Sequence, residues 1–307
     1  MSVNRRDFLK LGAAAFGTSL LGLSKINAEE NDKYANNLAM LNDCTRCIGC
    51  RGCQAACKKA HGLENFGDDS RYDMPLDLNA KNHTVIQLYK KSEKEFTFVK
   101  RNCLHCNEPS CVSVCPVSAF QKGSDGIVSY DEDKCIGCRY CEVACPFDAP
   151  TFEFDKAFPV IQKCDFCKDL RIKYGKPPVC ASVCPKGAIT FGKRGELIKE
   201  AKKRIKENPG RYNGHVYGEK EIAGTSVLYL APKGIRFTDL GFRLWDETPP
   251  GELQENIQHG IFKYWIPPVA LYGALGLAAY TMGKKKNGET GMPAGKAGES
   301  GEVSHES

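Results

Sequence analysis

Cysteine is the residue whose number and spacing in this chain point to chemistry. The 307 residues include 17 cysteines, all of them between positions 44 and 184. That density is typical of metal ligation or disulfide bridging, because thiols used only for packing are much sparser. Thiolates bind zinc and iron-sulfur clusters alike, so the spacing has to decide which kind of site the chain builds.

One sequence motif, Cys-x-x-x-Cys-Pro-x-x-Ala, occurs three times, starting at Cys111, Cys141 and Cys180. A Cys-x-x-Cys pair precedes every copy. The middle copy completes the run Cys-x2-Cys-x2-Cys-x3-Cys-Pro over residues 135–146, which is the ligand pattern of bacterial ferredoxins. In that pattern the first three thiolates hold one 4Fe-4S cluster and the fourth binds the neighbouring cluster.

A further group of cysteines opens the series, where residues 44–57 contain five. Counting from Cys47 gives gaps of two, two and three residues, with Gly49 in the same place as the glycine of the ferredoxin run. Counting from Cys44 gives gaps that no other group shows, so we expect Cys44 to be a spare thiol. Lys58 follows this group where the other three groups have proline.

Three kinds of site compete for these cysteines. Disulfides fit poorly, because the total is odd and gaps of two residues recur. Zinc accounts for isolated Cys-x-x-Cys pairs, but a zinc ribbon has no use for the third cysteine of the run. Four 4Fe-4S clusters with four ligands each account for all but one of the 17 cysteines. The sequence therefore predicts four 4Fe-4S clusters, and an exported zinc-binding interaction module is the alternative from another class of protein.

Short segments rich in β-branched and aromatic residues lie between and after the cysteine groups and predict β-strands. They cover residues 84–89, 96–99, 126–130, 188–191 and 226–230. Residues 195–210 carry apolar side chains at helical spacing, which predicts a packing helix. The expected fold class is α+β, with tandem bacterial ferredoxin-like modules and short β-hairpins around four 4Fe-4S clusters. The core of such modules would be largely inorganic.

The first 28 residues have the layout of an export signal. A twin arginine, Arg5-Arg6, precedes the uncharged run 11–24, and the small residue Ala28 closes the segment. This is the pattern of a twin-arginine signal, which directs folded proteins across the inner membrane. We therefore expect residues 1–28 to be a twin-arginine signal peptide.

A second apolar segment, residues 264–283, carries no charged side chain. A helix of this length spans about 30 Å, enough to cross a bilayer. The lysines at 284–286 that follow it would stay in the cytoplasm by the positive-inside rule. After the signal peptide, the sequence thus predicts a periplasmic four-cluster domain over 29–260, a single-pass transmembrane anchor over 261–283, and a disordered cytoplasmic tail over 284–307. The domain would lie at the periplasmic face of the inner membrane.

Charge and motif content argue against other classes of function. The net charge is +6, and half of it comes from the first 28 residues, so nothing indicates a nucleic-acid partner. The sequence shows no nucleophile-base arrangement, phosphate loop or dinucleotide fingerprint. We therefore expect a non-catalytic protein that carries electrons.

The whole pattern resembles a known family. The export signal, the four cysteine groups, the segment HVYGEKEIAGTSVLYL at 215–230 and the single anchor are similar to the four-cluster ferredoxin-like electron-transfer subunits of respiratory membrane oxidoreductases. Formate dehydrogenase and dimethyl sulfoxide reductase contain such subunits. The segment ENIQHGIFK before the anchor makes the hydrogenase-2 type iron-sulfur subunits (HybA-like) the nearest group.

The resemblance implies that the cysteine groups pair, the first with the fourth and the second with the third. Transferred by position, the implied ligands are Cys47, Cys50, Cys53 and Cys184 for cluster 1; Cys103, Cys106, Cys111 and Cys145 for cluster 2; Cys115, Cys135, Cys138 and Cys141 for cluster 3; and Cys57, Cys164, Cys167 and Cys180 for cluster 4. Cys44 is left without a cluster.

The resemblance also implies a function. It implies electron relay between a periplasmic nickel-iron respiratory hydrogenase and an integral membrane subunit that reacts with quinone, in anaerobic respiration. The same role in a periplasmic formate dehydrogenase or a molybdenum oxidoreductase is the alternative. His105 and Arg139 are candidates for tuning cluster potentials, although a histidine at such a position is more often an ordinary surface side chain. His259 could contact quinone or a partner, or anchor the chain at the membrane interface.

Overall fold

A computed structural model describes residues 33–63, 77–251, 269–270 and 272–281 of the chain. The chain divides into two compact units, Met1–Gln254 and Glu255–Ser307. All 17 cysteines lie in the described part of the first unit. The predicted signal peptide, the predicted tail, His259 and part of the predicted anchor lie outside the described residues.

The first unit is α+β, as predicted, and is built from short elements. Its strands are β1 (Leu38–Asp43), β2 (Thr84–Lys90), β3 (Phe96–Asn102), β4 (Phe120–Lys122), β5 (Val128–Tyr130), β6 (Thr151–Phe152), β7 (Ile161–Gln162), β8 (Ile189–Lys193), β9 (Tyr212–Tyr217) and β10 (Val227–Pro232). Its α-helices are α1 (Gly52–His61), α2 (Ser110–Ser113), α3 (Tyr140–Ala144), α4 (Val179–Ser182) and α5 (Arg194–Glu207). Short 3-10 helices cover Glu132–Lys134, Ile172–Tyr174, Glu221–Ala223 and Phe237–Leu240.

Four of the strands form one mixed sheet in the order β8-β1-β10-β9. β1 is parallel to β10 and antiparallel to β8, and β9 is antiparallel to β10. Because side chains alternate along a strand, this sheet presents two different faces. On one face, Ala39 and Leu41 of β1 pack with Leu197 and Ala201 of α5. On the other face, Met40 belongs to the core that contains buried cysteines.

The other six strands form three two-stranded hairpins, β2-β3, β4-β5 and β6-β7. Each hairpin connects two consecutive cysteine groups along the chain, so the ferredoxin-like repeat consists of a cysteine group followed by a hairpin. The short hairpins predicted from the sequence are therefore present.

The predicted strands and the predicted helix correspond to β2, β3, β5, β8, β10 and α5. The prediction of a largely inorganic core is wrong in its extent. The sheet buries a continuous organic core, with Leu228, Tyr229 and Leu230 of β10 fully inaccessible to solvent. This core arises because β1, β8, β9 and β10, from both ends of the domain, share one sheet, and the sequence of a single cysteine module does not reveal a sheet that several modules build together.

In the second unit, residues 269–270 and 272–281 are helical. Among the residues that the structure describes, no helix combines the length and the apolar composition needed to cross a bilayer. The transmembrane anchor over 261–283 therefore stays a prediction.

Arg194, the first residue of α5, joins this helix to the loop before β10. Its guanidinium is fully buried and donates to the carbonyl oxygens of Thr225 at 2.9 Å, Gly218 at 3.1 Å and Glu219 at 2.7 Å. Burial lowers the pKa of Arg194 to about 10, which still leaves it charged at neutral pH. This one side chain therefore supplies the donor for the carbonyl groups of Thr225 and Glu219 in a buried region. It adds a second donor to the Gly218 carbonyl, which also accepts from the N–H of Thr225 at 2.8 Å.

Replacing Arg194 with methionine is expected to destabilise the domain by about 3 kcal/mol, because each orphaned buried acceptor costs about 1–3 kcal/mol and methionine recovers part of the packing. For a domain of this size the midpoint of thermal unfolding should fall by roughly 6–12 °C. Lys193→Met, at the exposed neighbouring position, is the control and should barely move the midpoint. Equal shifts in the two variants would contradict this role for Arg194.

Candidate metal centre

The third cysteine of every group occupies the same place in the local fold. Cys53, Cys111, Cys141 and Cys180 are each the second residue of a helix, α1, α2, α3 and α4 respectively. The two preceding cysteines of each group lie in the loop that leads into that helix. Loop and helix start therefore bring the first three thiols of a group together, as the ferredoxin spacing predicts.

The repeated Cys-Pro-x-x-Ala motif forms the same turn in all three copies. The N–H groups of Ser118, Asp148 and Gly187 donate to the carbonyl oxygens of Cys115, Cys145 and Cys184 at 3.3, 3.4 and 3.2 Å. Proline suits the second position of such a turn because its φ angle is already fixed near the required value. The turn thereby replaces the helix that would otherwise continue past the fourth cysteine of the group.

The alanine of this motif follows the turn, and its backbone N–H donates a hydrogen bond to a cysteine sulfur. The backbone N–H groups of Ala119, Ala149 and Ala188 donate to the Sγ atoms of Cys115, Cys145 and Cys184 at 3.2, 3.5 and 3.3 Å. Donors of this kind stabilise thiolate charge and tune the potential of an iron-sulfur cluster. The sequence showed the repeat but not this reason for it.

The first group, which has Lys58 in place of proline, folds differently. α1 continues through Cys57 and ends at His61, because no proline interrupts it. The imidazole of His61 takes the place of the alanine N–H: its Nδ1 lies 2.9 Å from the carbonyl oxygen of Cys57 and 3.7 Å from its Sγ. Its Nε2 lies 3.0 Å from Oδ1 of Asp165.

His61 is assigned as a charged imidazolium. A carbonyl and an ionised carboxylate can only accept hydrogen bonds, so both ring nitrogens must carry hydrogen. Burial lowers the pKa of His61, but the hydrogen bonds to Asp165 and Cys57 raise it to about 11. The thiol of Cys57 thus faces a cationic donor where the other three groups present a neutral backbone amide.

The Cys-x-x-Cys loops require a left-handed backbone at their third position. The φ angle there is +70° at Gly49, +69° at Gly137, +46° at His105 and +60° at Phe166. Glycine adopts this conformation without strain, whereas a side chain makes it costly. The second and fourth groups therefore accept strain in order to place a ring at this position.

These two rings meet in the interior. His105 and Phe166 are 0% and 1% exposed, and their rings pack edge to face with centroids 4.3 Å apart. The loops of the second and fourth groups are thus joined through the rings. The interpretation of His105 as a surface side chain is wrong, since a positive φ angle turns it inward and its Nδ1 accepts a hydrogen bond from Val128 N–H at 3.0 Å.

Two opposing effects decide what Phe166→Gly would do. Glycine relieves the left-handed strain, about 1–2 kcal/mol, but losing a buried phenylalanine ring costs about 3–5 kcal/mol. We expect a net destabilisation of about 2–3 kcal/mol, measured as a lower midpoint of thermal unfolding. Ser118→Gly, at an exposed position with φ +52°, removes only strain and should raise the midpoint. A rise in both variants would show that the ring contact contributes nothing.

Two of the four expected ligand sets each line a separate cavity. The thiols of Cys47, Cys50, Cys53 and Cys184 lie around one cavity, which Cys44 also lines. The thiols of Cys115, Cys135, Cys138 and Cys141 lie around another. The structure therefore brings together the thiols of the sets expected for clusters 1 and 3.

In the sets expected for clusters 2 and 4, neighbouring thiols raise one another's pKa values. Burial raises the pKa of Cys106, and the thiols of Cys145, Cys103 and Cys111 raise it further. Burial likewise raises the pKa of Cys167 to about 12 and also raises that of Cys164, and the thiols of Cys180 and Cys57 contribute in the same direction to both. The members of the sets expected for clusters 2 and 4 are therefore neighbours in space. The ligand assignments themselves remain predictions.

The donor sets fit 4Fe-4S clusters. Each of the four sites offers four thiols and lies beside a helix start or an N–H donor to sulfur, which is the chemistry that such clusters require. Burial raises the pKa of Cys53, Cys106 and Cys164, so metal binding has to displace the protons of these thiols. Cys50 and Cys138 are the exposed cysteines, so the sites of clusters 1 and 3 reach the surface, with Ile48 and Ile136 exposed beside them.

Arg139, a candidate for tuning a cluster potential, lies against aromatic rings. Its guanidinium carbon lies 5.6 Å from the ring centroid of Phe152 and 5.4 Å from that of Phe154. It also supplies the left-handed residue, φ +61°, that precedes α3. Its contacts are therefore with the β6-β7 hairpin rather than with a thiol.

Comparison with known proteins agrees with this chemistry. Residues 46–119 and 94–194 each match a 4Fe-4S dicluster domain family. Hydrogenase-2 operon protein HybA of Escherichia coli O157:H7 is 36% identical over an aligned region of 311 positions, gaps included, which covers 89% of this chain and 94% of HybA. A protein of Nitratidesulfovibrio vulgaris is 41% identical over 249 residues, which cover 78% of this chain and 66% of that protein.

A formate dehydrogenase iron-sulfur subunit is also similar. That of Haemophilus influenzae is 32% identical over 288 residues, which cover 90% of this chain and 86% of the subunit. The matches to HybA and to this subunit extend over nearly the whole of each protein, and the dicluster matches span the four cysteine groups. The chain therefore belongs to the family of iron-sulfur electron-transfer subunits with 4Fe-4S dicluster domains that includes HybA and the formate dehydrogenase iron-sulfur subunits.

Proposed function

We propose that the chain relays electrons between a periplasmic nickel-iron hydrogenase and an integral membrane subunit that reacts with quinone. The observation that carries this proposal is the similarity to the hydrogenase-2 operon protein HybA over 94% of that protein's length. The folded domain supports it, because it presents four groups of thiols and exposes the outermost cysteines of two of them. Export by the twin-arginine route and a single C-terminal anchor at the inner membrane are parts of the same proposal.

The proposed cofactors are four 4Fe-4S clusters held by the ligand sets given above. When bound, each cluster accepts and returns one electron at a potential that the protein adjusts. The chain's own residues hold the clusters in place, exclude water from the inner ones and direct N–H groups at their sulfur ligands. No proton transfer or bond cleavage on this chain is part of the proposal.

The proposed order of the clusters along the path is 1, 4, 2, 3. It is supported by electrostatic interactions between thiols of different sets. Burial raises the pKa of Cys53 to about 12, and Cys180 of the cluster 4 set adds to this. Cys141 of the cluster 3 set similarly adds to the raised pKa of Cys111. The ring contact of His105 with Phe166 joins the loops of clusters 2 and 4.

A second candidate function is the same relay in a formate dehydrogenase. The similarity to the Haemophilus influenzae subunit, over 90% of this chain, favours it. The two candidates differ in the catalytic partner and not in the chemistry of this chain.

The test is identification of the partners. The chain is produced at native level with a C-terminal tag, the membranes are solubilised in mild detergent, and the co-purifying subunits are identified by mass spectrometry. A large subunit that contains nickel, together with hydrogen-dependent dye reduction, is the expected result. A molybdenum-containing partner with formate-dependent activity would replace the hydrogenase assignment by the second candidate.

A further inference from the structure

Lys100 is a buried cation with few partners. It lies on β3, is 4% exposed, and its Nζ donates to Oδ1 of Asn102 at 2.6 Å. Its Nζ also lies 3.8 Å from the Sδ atom of Met40, which is a weak acceptor. The ammonium group has three N–H bonds, so its hydrogen-bonding capacity exceeds what these two atoms satisfy.

The charge of Lys100 has no carboxylate to balance it within the described residues. The ion pairs found there, such as Lys91 with Glu95 on the same hairpin, do not include Lys100. A buried charge without a counter-charge is costly, so something else in the fold must compensate for it.

Thiols of two different ligand sets surround Lys100. It lines the cavity of Cys47, Cys53 and Cys184, which is the proposed site of cluster 1. Burial lowers the pKa of Lys100, yet its net pKa is raised because of the thiols of Cys180, Cys164, Cys53 and Cys57. Three of these four belong to the proposed cluster 4, so Lys100 lies between the two sites.

Two other interior lysines, Lys122 and Lys163, have different partners. Nζ of Lys122 donates to the carbonyl oxygens of His105, Cys106 and Gly126 at 2.7–3.1 Å. Nζ of Lys163 donates to those of Val128 and Cys164 at 2.5 and 2.9 Å. Both tie backbone segments together, whereas Lys100 bonds to no backbone carbonyl in the described part of the chain.

We propose that Lys100 is the shared counter-ion of clusters 1 and 4 and raises the reduction potentials of both. The inference rests on the proposed ligand sets. A 4Fe-4S cluster bound by four thiolates carries net negative charge, and the electron it accepts adds one more, so a fixed cation stabilises the reduced state more than the oxidised state. One electron enters and one leaves, and no bond forms or breaks.

The test is a redox titration of the purified full chain followed by electron paramagnetic resonance. Lys100→Met keeps the length of the side chain and removes the charge. It is expected to lower the equilibrium constant for reduction of two of the four clusters about tenfold, which corresponds to a potential about 59 mV lower for a one-electron couple. The potentials of the other two clusters should not change. Lys100→Arg keeps the charge and should leave all four potentials near those of the wild type.

Two more variants make the experiment decisive. Lys91→Met removes an exposed lysine of the same hairpin and should change no potential. Asn102→Asp keeps the shape of the side chain that contacts Nζ and adds a negative charge beside it, so it should lower the same two potentials even if Lys100→Met loads clusters poorly. Asn102 precedes Cys103 of the proposed cluster 2 set, so a shift of the cluster 2 potential is expected as well and is not counted in the comparison. Unchanged potentials in both Lys100→Met and Asn102→Asp, or equal shifts of all four, would overturn the proposal. Absence of 4Fe-4S signals from the wild type would instead refute the proposed function.

Discussion

Replacing Cys47 with alanine is expected to remove one cluster, about a quarter of the bound iron, whereas Cys44→Ala should leave the iron content unchanged. Both thiols line the same cavity, so proximity alone does not distinguish them. Their backbones do. Cys44 follows β1, and its N–H donates to the carbonyl oxygen of Leu230 at 3.0 Å, which fixes it to the sheet. Cys47 lies in the loop that has the ferredoxin spacing.

The measurement is iron and acid-labile sulfide per chain in protein purified without oxygen. Cys44→Ala also removes a buried thiol, whose pKa burial raises, so a modest loss of stability is expected without a loss of iron. Equal iron losses in the two variants would show that the ligand frame starts at the wrong cysteine. Retention of all iron in Cys47→Ala would show that Cys44 can take its place.

Replacing Gly49 with alanine is expected to prevent stable loading of cluster 1, while Gly137→Ala should be tolerated much better. The two positions have nearly equal φ angles, +70° and +69°, so the strain of a left-handed alanine, about 1–2 kcal/mol, is common to both. The space around them differs. A Cβ at Gly49 would lie 2.4 Å from the ring of Phe98, whereas the nearest atom at Gly137 is 3.7 Å away, on Phe152.

The pair of variants therefore isolates the steric effect. Iron content and the midpoint of thermal unfolding are compared for Gly49→Ala, Gly137→Ala and the double variant Gly49→Ala with Phe98→Leu. The smaller leucine should restore part of the iron, because it gives the new methyl group room. Similar losses at Gly49 and Gly137 would show that backbone strain, not the ring of Phe98, makes glycine necessary.

Much of the candidate site could be predicted from the sequence, because ligand spacing along a short loop almost determines its geometry. The gaps of two residues and the start of a helix bring Cys135, Cys138 and Cys141 together without help from the rest of the fold. The period of apolar residues in α5 predicted its packed face for the same reason. Both features depend on local chain geometry.

Features that depend on distant segments could not be predicted. β1 and β9 lack a strong alternating pattern, and they are strands because β10 pairs with both. The burial of His105 follows from its contact with Phe166, more than fifty residues away along the chain. The position of Lys100 between two thiol groups likewise follows from the pairing of the first group with the fourth. One sequence feature did indicate that these two residues are special: His105 and Phe166 occupy the loop position at which the other two loops have glycine.

The most direct test of the account is a count of metal and electrons in the purified chain. Iron, acid-labile sulfide and zinc are measured on the same sample, followed by a reductive titration under anaerobic conditions. The assignment of four 4Fe-4S clusters predicts a brown protein with about sixteen irons and sixteen sulfides, no stoichiometric zinc, and the uptake of four electrons per chain. A colourless protein with about four zinc ions that takes up no electrons would contradict it.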